Sequence, residues 1–210
     1  DGGYIVADCQ LDTVAAMYSF GIADDDLFDL AFAQNFKKPV YQYDPFVEKS
    51  PSESINPLIR FNKRGVSDRK TDLFDTLENF VRENGHTDQD LFLKMDIEGA
   101  EWEVFASIPP AVLQQFSQIV LEFHGFEFFS RYDHYIRCLE IINAQFVLFH
   151  VHGNNGLGKP AFSKIPCLLE ASFINKKYVA QKTIATQPCP SEIDRPNCPT
   201  KPELRLDYWL

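Results

Sequence analysis

Leu91-Phe92-Leu93-Lys94-Met95-Asp96-Ile97-Glu98-Gly99-Ala100-Glu101-Trp102-Glu103-Val104-Phe105 is the stretch that decides the fold. A largely apolar run stops at Asp96, passes two carboxylates and a glycine, and turns into a pattern that puts Trp102, Phe105 and Ala106 on one helical face. Such a strand delivers Asp96 to the carboxyl edge of a sheet, where open α/β folds bind their ligands. Glu98 then lies in the turn, and Gly99 lets the backbone bend sharply. Acidic residues also gather at helix N-termini for dipole reasons, so helix capping by Glu98 and a plain strand end at Asp96 form the competing explanation.

Two later runs end in the same way. Gln118-Ile119-Val120-Leu121-Glu122-Phe123-His124-Gly125 and Gln145-Phe146-Val147-Leu148-Phe149-His150-Val151-His152-Gly153-Asn154-Asn155 both finish in carboxylate, imidazole or amide groups followed by glycine. Alternation along a strand puts Glu122 with His124, and His150 with His152, on shared faces. Three adjacent parallel strands ending this way would gather their polar tips in one cleft. His150 reads as an ordinary core or edge histidine, whereas His124 and His152, beside glycine turns, read as functional.

Farther out, strand and helix take turns. Residues 16–22 read as a first strand, 24–33 as a helix with acids in its first turn, 39–44 as a second strand ending in Asp44, and 58–61 as a short third. The spacing predicts a helix over 71–83, stopped by Asn84-Gly85, and another over 132–142. The rhythm implies parallel strands with right-handed crossovers, a Rossmann-like doubly wound α/β sheet. Residues 166–174 form a last strand with no helix before it, which predicts an antiparallel edge addition. One domain is expected: a lead-in over 1–15, a core over 16–175 and a proline-rich tail over 176–210 that lies extended over the domain or frays.

Composition removes several function classes. The chain has 210 residues and a formal charge of −10, which argues against a nucleic-acid phosphate backbone as partner. No run is apolar enough to span a membrane, and the chain opens at Asp1 rather than methionine, so a trimmed domain is expected. The five cysteines form no Cys-x-x-Cys pair, so neither a zinc site nor a disulfide framework is suggested, and a reduced, cytoplasmic setting is expected.

The first strand-helix-strand unit carries further chemistry. Gly21 sits where a nucleotide-binding loop needs close backbone approach, and Asp44, about 20 residues on, where an acid can accept from ribose hydroxyls. Phe20-Gly21-Ile22-Ala23-Asp24 has a single glycine where a dinucleotide fingerprint has three, and Asp24, Asp25 and Asp26 would repel a pyrophosphate. A ligand with a ribose and a positive centre would not be repelled, and S-adenosylmethionine is of that kind.

On Leu93-Lys94-Met95-Asp96-Ile97-Glu98-Gly99-Ala100-Glu101, with Tyr43-Asp44-Pro45 and Gly65-Val66-Ser67-Asp68, the chain resembles the FkbM-like methyltransferases, S-adenosylmethionine-dependent enzymes of Rossmann-like type. The matches extend over roughly residues 21–125; the opening Asp1-Gly2-Gly3-Tyr4 and the run 150–155 are similar to a subgroup. The resemblance implies the class I methyltransferase sheet: seven strands, mostly parallel, with an antiparallel edge strand. It also implies that Gly21 would touch the methionine moiety, Asp44 the ribose, Val66 and Ser67 the adenine end, and Asp96 the amino group or reacting centre. Ala23 departs from the family pattern, which has another glycine there.

The reaction so implied is methyl transfer to oxygen, with a carbohydrate, glycan precursor or other small-metabolite hydroxyl as acceptor. An unactivated hydroxyl needs a base, for which Glu98, Glu122, His124 and His152 are the candidates, His124 first. The same groups could instead hold a divalent metal. Two rivals stand beside this reading. A metal-dependent sugar-nucleotide glycosyltransferase would use Asp24-Asp25-Asp26 or Asp96-Ile97-Glu98 as its clamp, and a non-catalytic Rossmann-like binding domain would keep the fold without the cofactor.

Overall fold

The computed structural model describes residues 3–160, 163–181 and 189–206. Seven strands form one sheet: β1 (Ala16–Phe20), β2 (Val40–Tyr43), β3 (Ile59–Asn62), β6 (Leu91–Met95), β7 (Phe116–Phe123), β8 (Phe146–Gly153) and β9 (Leu169–Asn175). Their spatial order is β3-β2-β1-β6-β7-β9-β8. Pairing is parallel from β3 to β7, while β9 runs antiparallel to both β7 and β8. The sheet is therefore mostly parallel with its antiparallel strand at the edge region, as expected, but β9 lies one place in from the rim. Consequently β8 is not adjacent to β7, and the expected row of three neighbouring parallel strands ending in polar tips is interrupted.

Helix α1 (Leu27–Phe36) covers one face of the sheet, where Phe32 and Ala33 pack with Met17, Val40, Phe92 and Val120. Helices α2 (Leu77–Glu83), α3 (Glu101–Ser107), α4 (Pro110–Leu113) and α5 (Tyr132–Gln145) supply the larger core on the other face, around Tyr18, Phe20, Trp102 and Phe105. Alternating strand side chains divide between these two cores, so both faces are dry and the strands read as near-continuous apolar runs. The segment before β1 lies against the α1 face: Tyr4 and Val6 pack there, and Ala7 exchanges hydrogen bonds with the Gln118 amide.

The helix expected over 71–83 starts six residues later. Phe74–Asp75 (β5) pairs instead with Gly65–Val66 (β4), and Thr76 caps α2 by accepting from the Asn79 amide at 3.2 Å. Asp75 is the reason: its fully buried carboxylate is held by Arg64, Lys70 and Asn79, which pins the preceding residues as an extended segment.

The tail is bound where it is described. Leu206 is fully buried, Asp194 stands 2.9 Å from His150, and the Asn155 side chain donates to the Cys198 and Lys201 carbonyls. The expectation for Asp1 and Gly2 lies outside the described residues.

Candidate active site

The chain leaves β1 toward β2 in one direction and β6 toward β7 in the other, so a crevice opens at the carboxyl ends of β1 and β6. Gly21 and Asp96 meet there. The Asp96 amide donates to the Phe20 carbonyl at 3.0 Å, and a side chain at Gly21 would bring Cβ to 1.6 Å from the Asp96 carbonyl oxygen. The glycine is required for contact between two strand ends.

Asp44 ends β2 and fixes the loop after β1. Its Oδ2 accepts from the amides of Ile22 and Ala23 at 3.0 and 3.1 Å, and its Oδ1 from Phe46 at 2.8 Å. Burial alone would raise the carboxyl, but these amide bonds outweigh it and hold it below the usual range. The loop needs that support, because Ala23 sits in the left-handed region at φ 49°.

Two cavities flank this point and share Gly21, Ala23 and Asp96. One, of about 170 Å³, is walled by Asp44, Pro45, Phe46, Val66 and Phe74. The other, of about 560 Å³, is lined by Tyr4, residues 22–29, and Lys94. Lys94 is buried and donates to the Gly21 carbonyl. Below it Asp29 is bonded by Ser19 at 2.9 Å and Gln42 at 2.8 Å, and burial raises its carboxyl. The Tyr4 hydroxyl is enclosed and has no partner.

Beside Asp96 lies a cluster of charge around His124. The ring Nε2 stands 3.8 Å from Asp96, 3.4 Å from Glu98 and 3.4 Å from Glu122, and Nδ1 stands 3.2 Å from Glu101 but outside hydrogen-bonding angle. Burial would lower the imidazole, yet Glu101, Glu122 and Asp96 push it up to about 9. Burial, reinforced by Asp96, pushes Glu122 up to about 7, and burial also raises Asp96. These carboxylates favour the protonated imidazole as long as no cation neutralises them. Glu98 and Gly99 are both left-handed, at φ 58° and 103°, and the turn is held by Glu101, whose buried carboxylate accepts from the amides of Ile97 and Gly99 at 2.8 and 3.0 Å. Glu101, rather than Glu98, does the local capping, and Glu98 extends into solvent with 88% of its side chain exposed.

The structure thus brings Gly21, Asp44, Val66 and Asp96 to one cleft, with Glu98, Glu122 and His124 alongside. Two expected residues are elsewhere. Ser67 turns away, donating to the Arg69 carbonyl at 2.6 Å and lining a separate hollow with Thr76 and Pro109. His152 shares the face of Glu122 through the row Glu122, Glu170, His152, but it is clamped at 2.7 Å by Glu170 and at 2.7 Å by Glu203 of the tail. It is a latch between sheet and tail. The acidic triplet is no clamp either, since Asp26 is buried and bonded by Gln42, Ser50 and Ser52.

Sequence reasoning passed over Tyr4, Phe46, Phe74, Lys94 and Glu101. Lys94 carried a signal, as the one charge inside the apolar run of β6, and Glu101 carried another, as an acid placed to reach back over a turn. Phe46 and Phe74 come from separate loops and gave none.

Among curated proteins none matches the chain. Of solved structures, a candidate hemolysin from Streptococcus thermophilus is similar at 15% identity and TM-score 0.42, over 76% of this chain and 58% of that one. A Methanococcus jannaschii fibrillarin pre-rRNA processing protein is similar at 12% identity and TM-score 0.48, over 83% and 71%. The chain therefore spans less than two thirds of the first. The family model described as the methyltransferase FkbM domain matches residues 9–157, from the lead-in through the three strand ends that build the cleft. With that match over well more than half of its length, the chain belongs to the FkbM methyltransferase domain family.

Proposed function

We propose that the protein is an S-adenosylmethionine-dependent methyltransferase acting on a hydroxyl of a carbohydrate, glycan precursor or other small metabolite. The observation that carries this is the pair of cavities at the β1–β6 crevice that share Gly21, Ala23 and Asp96. Their donor set suits an adenosine with a positively charged amino-acid arm: apolar walls at Phe46, Val66 and Phe74, an acid at Asp44, and a polar chamber bordered by Tyr4, Lys94 and Asp96. In this reading the Asp44 carboxylate faces the ribose, Val66, Phe46 and Phe74 pack the base, and Asp96 meets the amino group.

When bound, the donor supplies an electrophilic methyl group on a sulfonium. The protein's part is placement, exclusion of water, and removal of one proton as the new carbon–oxygen bond forms and the carbon–sulfur bond breaks. Glu122 is assigned as the group that takes the acceptor's proton, since its carboxyl stands 3.4 Å from His124 and burial pushes it up to about 7, close to the pH at which a general base works best. Asn154, bonded to Glu122 at 2.5 Å, positions it. A third cavity, of about 270 Å³ and lined by Glu98, His124, Phe128, Arg131 and Tyr135, adjoins the cluster and is assigned to the acceptor.

Transfer of labelled methyl from S-adenosylmethionine to a panel of sugars and glycan precursors tests the reading. Glu122→Gln should lower kcat by about 10²-fold or more while leaving donor affinity nearly intact, because a base acts in the transition state. Equal loss of kcat and donor affinity would make Glu122 a binding residue, and labelling confined to nitrogen or carbon would overturn oxygen as the target.

A further inference from the structure

We propose that Asp96, Glu98 and His124 form a binding site for one divalent cation of the oxygen- and imidazole-preferring kind, set in the wall between the donor cavity and the cavity beyond His124. The role of the ion, holding the acceptor hydroxyl beside the methyl donor, rests on the methyl-transfer reading. The existence of the site does not.

One ligand atom from each of the three residues lies within 4.8 Å of the others. The distances are informative in themselves. Where histidine meets carboxylates as a hydrogen-bonded pair in this protein, the gap closes to 2.7 Å at His152 with both Glu170 and Glu203, and to 2.9 Å at His150 with Asp194. At His124 the Nε2 atom instead stands 3.4 Å from Glu98 and 3.8 Å from Asp96. Oxygen and nitrogen ligands placed about 2.1 Å from a shared ion are separated by roughly 3.0 Å in an octahedral site and roughly 3.4 Å in a tetrahedral one. The spacing is too wide for direct bonding and fits atoms that share a central ion.

His124 supplies an independent indication. Only 8% of it is exposed, Nδ1 makes no aligned hydrogen bond, and Nε2 stands within 3.8 Å of the carboxylates of Asp96, Glu98 and Glu122. The ring is held for that purpose. Trp102 donates to the His124 carbonyl at 2.8 Å, and Glu101 stands 3.2 Å from Nδ1, on the side opposite the cluster, where metal-binding histidines commonly meet a carboxylate. Three protein ligands leave coordination positions open, as catalytic metal sites require. Two carboxylates and an imidazole without thiolate select ions such as Mn²⁺ over soft metals. Asp96 borders the donor cavities and Glu98 borders both the adenosine-side cavity and the one beyond His124, so an ion here touches both substrates.

The test is a titration of the chelator-stripped chain with MnCl₂, reading free Mn²⁺ by electron paramagnetic resonance. One saturable site per chain is expected, weakened at least tenfold in Glu98→Gln and in Asp96→Asn, and unchanged in Asp72→Asn, an exposed acid far from the cluster in sequence. Glu98 makes no hydrogen bond through its exposed side chain in the structure, so its variant keeps the fold, which circular dichroism checks. Absence of saturable binding, or equal affinity in all the variants, overturns the site. S-adenosylmethionine binding in chelator without a Mn²⁺ site would sink this inference and leave the donor reading standing; Mn²⁺ binding without donor affinity would do the reverse.

Discussion

Gly21 has φ 79° and no room for a methyl group against the Asp96 carbonyl, so both its conformation and its packing exclude a side chain. Gly21→Ala should cost about 3 kcal/mol or more, combining left-handed strain with overpacking, and urea unfolding will measure it. An unchanged midpoint would mean that the strand ends part easily and the crevice is not rigid. Ala23 presents the opposite case. It occupies the left-handed region at φ 49° where alanine is disfavoured by about 1–2 kcal/mol, against about 0.5–1 kcal/mol of extra chain entropy for glycine. Ala23→Gly should therefore stabilise the fold by up to about 1 kcal/mol; destabilisation would show that the Ala23 methyl packs usefully. Residues of this kind were partly legible. The strand end at Asp96 and the loop glycine followed from the apolar run and the turn. The upward push on the His124 imidazole did not, because it comes from Glu101 and Glu122, which arrive from two different elements.

Element boundaries followed the sequence wherever the pattern was local, and departed wherever a distant partner decided. The strands β1, β2, β6 and β7 stand where their apolar runs put them. The start of α2 was displaced because Arg64 and Lys70 claim Asp75, and the place of β9 between β7 and β8 depends on pairing that no local pattern encodes. The sheet-to-tail clamp at His152 was not legible for the same reason: Glu203, one of its two partners, lies 51 residues away. That clamp has a pH signature. Burial would lower the imidazole, but Glu170 and Glu203 raise it from the ordinary 6.5 to about 9. Its folded value exceeds its unfolded one, so the stabilisation is complete below about pH 6.5 and is lost as pH rises toward 9. Across that window the wild-type chain should lose of the order of 3 kcal/mol more than His152→Gln, in which the contribution of His124 remains. Parallel profiles for the two proteins would show that the latch does not couple to folding.

At the scale of the molecule, an acidic chain concentrates buried charge at one end of one sheet and leaves both sheet faces dry. Among the described residues no helix is long and apolar enough to cross a membrane. Two cavities that share Gly21, Ala23 and Asp96 flank the crevice between β1 and β6, with the charged cluster beside Asp96, and we propose that they receive S-adenosylmethionine. Calorimetric titration of the full chain tests it most directly. S-adenosylmethionine should bind one to one, a sugar nucleotide with manganese should not, and Asp44→Ala should weaken the donor by about 1–3 kcal/mol, roughly ten- to a hundredfold. Binding of the sugar nucleotide in place of S-adenosylmethionine, or of neither, would contradict the account.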